Sequence, residues 1–244
     1  MNDHDFNLLY TNDQAEVIGL YEMQLLDQPL VDRVPLLVIL LNSSDAFVAF
    51  QAAEILAYWG FLDGASYFDN LLDSWTIGGR DMYPHRIDGH DESLDRIARA
   101  IESYSSLPSG DRNIAISIYR KLLSYYGVVG FAYRLKYALM AWDGLEMVLE
   151  TLAAIDRAET LGRYYLASQL LPPLARWQGD ECLGILGRFN ACDDYPNPRI
   201  NVAEALRYFV ASTAFPLLIE LSDDKNSLVA DEAQLSLKYL KVRL

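Results

Sequence analysis

Two imidazoles and two carboxylates stand within seven residues at His85, Asp88, His90 and Asp91, and these donor types are the ones that hold zinc or a similar ion. They sit in Thr76 to Glu92, TIGGRDMYPHRIDGHDE, a stretch rich in glycine and broken by proline that reads as a long surface loop. The only other histidine is His4. Loop clusters of this kind more often solvate a turn than ligate a metal, so His85 and His90 are weak metal candidates, and neither a bound metal nor any other cofactor is expected. Nucleophilic catalysis by Ser or Cys needs a base within hydrogen-bond reach, and three histidines offer little choice of one. Neither GxSxG nor GxxxxGK[ST] occurs, and Gly184-Ile185-Leu186-Gly187 lacks the strand and third glycine of a dinucleotide turn. The chain is therefore read as a non-enzyme, with a metal-dependent enzyme using His85, Asp88, His90 and Asp91 as the remaining enzymatic alternative. Cys182 and Cys192 match no metal knuckle or CxxC spacing and read as two buried thiols.

Charge carries more information than any motif. Residues 1 to 75 hold twelve acids against the single base Arg33, a net of −11, while the whole chain of 244 residues is −14, leaving −3 for the rest. Such a field repels phosphate backbones and anionic lipid and draws basic surfaces into encounter. Direct nucleic-acid binding is disfavoured, and a basic protein partner is expected. The candidate partner-binding residues are Asp63, Asp69 and Asp73 in the acidic third, with Asp81, Tyr83, Asp88, Asp91 and Glu92 in the loop. The bases Arg96, Arg99, Arg112, Arg120, Lys121, Arg134 and Lys136 are interleaved with acids or tyrosines and read as a balanced, solvated face. Sixteen tyrosines, including Tyr125, Tyr126, Tyr133, Tyr137, Tyr164 and Tyr165, divide between core or groove lining and contact surface.

The elements that would position these residues are helices. Apolar residues recur at helical spacing along nearly the whole chain, and no stretch alternates as a strand. Helices are expected at 13–27, 30–42, 46–59, 64–75, 93–106, 111–126, 128–142, 144–155, 158–171, 180–190, 201–213, 215–222 and 228–243. Asp13, Asp45, Asp111 and Asn201 stand where N-caps would be, and Gly60 and Gly127 where helices would close. The longest apolar run, Val34 to Leu41, is too short for a bilayer span, and the first ten residues lack the pattern of a secretory signal, so a cytoplasmic, membrane-free protein is expected.

Val34 to Trp59 aligns without a gap on Phe215 to Leu240, with nine of 26 positions identical: Pro35/Pro216, Leu36/Leu217, Leu37/Leu218, Leu40/Leu221, Val48/Val229, Ala49/Ala230, Ala52/Ala233, Leu56/Leu237 and Tyr58/Tyr239. The repeated unit is a Pro-Leu-Leu-x-x-Leu helix, a polar turn, and a Val-Ala-x-x-Ala-x-x-x-Leu helix. This pattern resembles the HEAT repeat family through Pro35, Asp45, Val48, Ala52 and Ala53 in the first unit and Pro216, Val229 and Ala233 in the last. Ala49 and Ala230 stand where many HEAT repeats carry arginine. The resemblance implies an all-α, right-handed α-solenoid of antiparallel helix pairs, one domain over 1–244, with degenerate repeats in the middle and Pro172-Pro173-Leu174 as a worn proline helix. A solenoid also implies a protein-binding role, and small size with strong acidity resembles an immunity-type inhibitor of a basic toxin effector, with an adaptor or assembly chaperone as the alternative. Proteins of this resemblance that act as di-iron hydroxylases need His-Glu pairs, and those that act on DNA bases need a basic groove. The chain has neither pattern.

Overall fold

A computed structural model describes residues 1–26, 29–75 and 92–243. Every regular element among them is helical, and the extended backbone is limited to isolated bridges at Thr11–Val17 and Tyr126–Val129. The all-α expectation holds. Contacts gather into two compact units, 1–122 and 123–244, whose boundary falls in the last turn of one helix.

The first unit contains α1 (Asp3–Tyr10), α2 (Gly19–Gln24), α3 (Val34–Leu40), α4 (Ala46–Tyr58), α5 (Leu62–Asp73), α6 (Ser93–Ser106) and most of α7 (Arg112–Tyr125). Its centre is α4, in which every residue from Val48 to Tyr58 is buried. A helix that is apolar all round must be surrounded, and α1, α2, α3, α5 and α6 all pack on this one. The Asp45 side chain caps it by accepting the Phe47 N–H at 3.0 Å. Asp111 caps α7 in the same way through Asn113 and Ile114. Gly60 and Gly127 take φ of +81° and +87° after α4 and α7, as their places at the helix ends anticipate.

The N-terminal region departs from expectation. Residues 3–10 are helical, and Leu8 and Leu9 are buried. The expected helix 13–27 shortens to α2, because Asn12 folds the preceding residues into a turn by accepting N–H bonds from Gln14 and Glu16, both at 2.9 Å. Asp13 lies in that turn and caps no helix.

The second unit contains α8 (Arg134–Ala141), α9 (Val148–Thr160), α10 (Tyr164–Ser168), α11 (Leu171–Gln178), α12 (Leu183–Leu186), α13 (Arg199–Ala205), α14 (Ala211–Ser222) and α15 (Ser227–Arg243). The helix expected over 158–171 is divided between α9, α10 and the start of α11. Pro172 and Pro173 open α11, where the first turn has no use for the N–H that proline lacks, and Leu171 to Ala175 are buried against α13, α8 and α9. The stretch expected as one helix over 180–190 is a short α12 between two 3-10 turns. Asn201 lies inside α13 and is buried, so it is no cap; the role of its side chain is described below.

The two aligned segments fold alike. Each forms two helices joined by a short turn and packed on each other, α3 with α4 and α14 with α15. The same registers are buried in both: Leu37/Leu218, Val48/Val229, Ala52/Ala233 and Trp59/Leu240. Pro35 sits in the first turn of α3, whereas Pro216 lies within α14, which begins four residues earlier than expected.

Helices α4 and α5 approach closely at Gly64. A side chain at Gly64 would place its Cβ 2.5 Å from the Ala53 carbonyl oxygen and 2.6 Å from the Ala57 nitrogen, both backbone atoms of α4. Neither can yield without moving the central helix. Gly64→Val should therefore destabilise the protein by about 2–4 kcal/mol, measured by urea unfolding, while Gly184→Ala, at a position with nothing within 4 Å, should leave the midpoint nearly unchanged.

Candidate polar helix faces

Polar side chains at positions i, i+3 and i+7 lie on one face of a helix, and α4 carries such a set inside the core as Gln51, Glu54 and Tyr58. The Gln51 Oε1 accepts the Tyr10 hydroxyl from α1 at 2.7 Å. Glu54, 2 % exposed, accepts both arms of Arg96 from α6, Nε to Oε1 at 2.7 Å and Nη2 to Oε2 at 3.0 Å. One turn on, the Arg99 guanidinium lies 4.6 Å from the centre of the Tyr21 ring and 5.8 Å from that of Tyr58. Burial pushes the Tyr58 hydroxyl up to about 12, against the pull of Arg99.

The same arrangement recurs in the second unit on α13 and the turn that follows it, as Asn201, Glu204 and Tyr208. Lys136 of α8, almost fully buried, donates to Asn201 Oδ1 at 2.8 Å and pairs with Glu204. The Asn201 amide donates onward to Ser168 Oγ at 2.9 Å, and the Ser168 hydroxyl donates to the Tyr165 carbonyl oxygen at 2.7 Å. Arg207 pairs with Glu232 of α15 and donates through Nε to Ser236 at 2.8 Å. Tyrosines border this network: Tyr133 and Tyr137 meet edge to face at 5.6 Å, Lys136 lies over the Tyr137 ring at 5.7 Å, and Tyr208 lies 6.4 Å from Tyr239.

Burial first and Glu204 after it raise the Tyr137 hydroxyl, and burial, then Tyr239, then Glu204 raise that of Tyr208. Burial likewise holds the Glu232 carboxyl above the usual carboxylate range, opposed chiefly by Arg207. Glu54, Glu204 and Glu232 thus each have a cation from a neighbouring helix or turn, the arrangement that makes burial of charge tolerable.

These findings correct the reading of the basic cluster as a solvated face at Arg96, Lys121 and Lys136, while Arg112 and Arg120 are exposed. Arg96 and Lys136 are structural partners of buried carboxylates, and Lys121 is held between Asp69 and Asp73 at 2.8 and 2.7 Å. Of the acidic candidates on α5, Asp69 and Asp73 are therefore engaged, Asp69 also accepting the Ser117 hydroxyl at 2.7 Å. Asp63, in the first turn of α5, is exposed and is not brought together with them. Glu92 precedes α6, where its carbonyl oxygen accepts the Arg96 N–H. Asp81, Tyr83, His85, Asp88, His90 and Asp91 lie outside the described residues. Among the described residues no three His, Cys, Asp or Glu side chains gather as a metal site would require. Cys182 is buried, and burial raises its thiol to about 12; Cys192 is only partly covered, which departs from the expectation of two buried thiols.

The second unit also contains a cavity of about 410 Å³ with walls from Leu183, Leu186, Val202 and Leu217 and a polar edge at Arg199 and Asp224. Arg199 is already neutralised there by Asp224 at 2.7 Å and Asp193 at 2.8 Å.

The repeated polar face had a legible signal in the sequence. Gln51-Ala-Ala-Glu-Ile-Leu-Ala-Tyr58 and Asn201-Val-Ala-Glu-Ala-Leu-Arg-Tyr208 share Ala, Glu, Leu and Tyr at four of eight positions. A search centred on the proline helices passes over it, because 201–208 follows no such helix. No protein-family model matches the chain, and neither the curated proteins nor the solved structures compared with it give a significant match. No helix among the described residues is long and apolar enough to cross a membrane.

Glu54→Ala removes the two-armed hydrogen bond that Glu54 accepts from Arg96, and since Arg96 keeps 27 % of its side chain exposed the cost should be about 2–4 kcal/mol by urea unfolding. The raised Glu232 carboxyl has a different signature. A group whose folded-state pKa is raised stabilises the fold below its unfolded value and loses that contribution as pH rises through the folded value. The melting temperature of Glu232→Gln relative to the parent should thus climb as pH rises above 4.5, the ordinary glutamate value. A difference that stays flat across this range would contradict the assignment.

Proposed function

We infer that the chain is a non-enzymatic protein-binding module, a HEAT-like α-solenoid whose acidic N-terminal third receives a basic protein. The observation that carries this reading is the fate of the only base in residues 1–75. Arg33 spends its guanidinium on three backbone carbonyls, those of Asn7, Thr11 and Asn12, at 3.1, 2.5 and 2.7 Å. It pins α1 and the following turn, and burial lowers its pKa. Asp3, Asp13, Glu16, Glu22, Asp32 and Asp63 stand exposed on this part of the chain. With twelve carboxylates against the Arg33 guanidinium and the Met1 ammonium, and with Arg33 turned to backbone carbonyls, not to these acids, this stretch attracts a basic partner over distances of about 10 Å at ordinary salt.

The matching helix pairs α3–α4 and α14–α15, with the same buried registers, favour the solenoid reading. The most concrete role is that of an immunity-type inhibitor, which would bind one basic toxin effector in the cytoplasm and neutralise it. An adaptor or assembly chaperone is the second reading, and the leucine-walled cavity of the second unit favours it, since apolar recognition would be indifferent to salt.

The test is affinity capture from the native cell at low salt, followed by reconstitution with the purified partner. The inhibitor reading expects one stoichiometric basic protein whose affinity falls steeply with salt, and a loss of about tenfold or more when Asp13, Glu16 and Asp32 are replaced by Asn, Gln and Asn. Binding indifferent both to salt and to these substitutions would overturn it in favour of the adaptor.

A further inference from the structure

Helix α15 packs into its unit through Val229, Ala233, Ser236 and Leu240, all buried. It shows solvent a second apolar face. With about 100° between successive residues, Leu228, Leu235, Tyr239 and Val242 fall within an arc of about 60°. They are 57, 52, 44 and 88 % exposed. The stripe runs about 21 Å along the helix. On the matching helix α4 the same registers are Phe47, Glu54 and Tyr58, and the last two are buried, Glu54 beneath Arg96 of α6. This is a face that the fold covers where a further helix is at hand.

We propose that a second copy of this chain covers the α15 stripe, with the two helices antiparallel about a two-fold axis through Leu235. Charge along the edges of the stripe selects this arrangement. Asp231 and Lys238, both exposed, lie along one edge, four residues before and three residues after Leu235. A two-fold axis perpendicular to the helices brings like edges together in reversed order, so Asp231 of each copy comes opposite Lys238 of the other, twice by symmetry. Leu228 then faces Val242 of the second copy, and the two Leu235 side chains meet at the axis.

A parallel pairing would bring opposite edges together at the same height. That sets Asp231 beside Glu232 of the other copy, a carboxylate that Arg207 already holds, so the Asp231–Lys238 pairs are not made. The charge complementarity of the stripe is therefore specific to the antiparallel sense. One helix from each copy makes an interface at the small end of specific contacts, so the association should be reversible and dependent on concentration.

Sedimentation velocity of the full chain, from about 5 to about 500 µM, tests the proposal. The expected result is a monomer–dimer equilibrium. Leu235→Glu should abolish it without lowering the melting temperature of the monomer, because Leu235 is half exposed. Asp231→Lys and Lys238→Asp should each raise the concentration needed for dimer by about fivefold or more, and the double exchange should restore it to near the parent value. A protein that stays monomeric throughout, a dimer that tolerates Leu235→Glu, or a double exchange that fails to restore pairing would each overturn the proposal.

Discussion

A carboxylate carried into a helical core has to be answered by a cation from another helix, and in both units this requirement fixes which helices lie side by side. Glu54 commits α4 to α6 through Arg96, and Glu204 commits α13 to α8 through Lys136. Leucine and alanine can pack in many arrangements of comparable energy, whereas a buried carboxylate unmatched by a cation costs several kcal/mol. The ion pairs thus act against alternatives: a neighbour without the cation at the right height is excluded. Gln51 and Asn201 extend the constraint by one turn, tying α4 to α1 and α13 to both α8 and α10.

The same economy of charge separates the molecule's surface from its interior. Bases that the sequence spreads along its middle are consumed internally, by Glu54, by Glu204 and by the Asp69–Asp73 pair, and Arg33 is consumed by backbone oxygens. The charge that remains outward on residues 1–75 is chiefly carboxylate. This gives the acidic third its proposed part in recognition, while Lys121 engages Asp69 and Asp73 on α5.

The all-α class and most long helices were readable because amphipathic periodicity and punctuation agreed: Asp45, Asp111, Gly60 and Gly127 mark the ends that they should. Short elements were not readable. The α10 to α12 region depends on turns of three or four residues whose apolar content looks continuous in sequence, and α1 is helical because Leu8 and Leu9 find a place in the core, a tertiary fact. The polar faces were hidden for a physical reason. Glutamate, lysine and arginine default to the surface in any sequence reading, so Glu54 and Lys136 announce their burial only through partners that are 42 and 68 residues away from Glu54 and Lys136 respectively.

The most direct test of this account is native-state hydrogen exchange read by mass spectrometry. If the buried ion pairs hold the helices in place, the amides of residues 48–58 and 201–206 should exchange last within their units and near the rate of global unfolding. Exchange there as fast as in α2 or α12 would show that the cores open without breaking these pairs, and the account would fail.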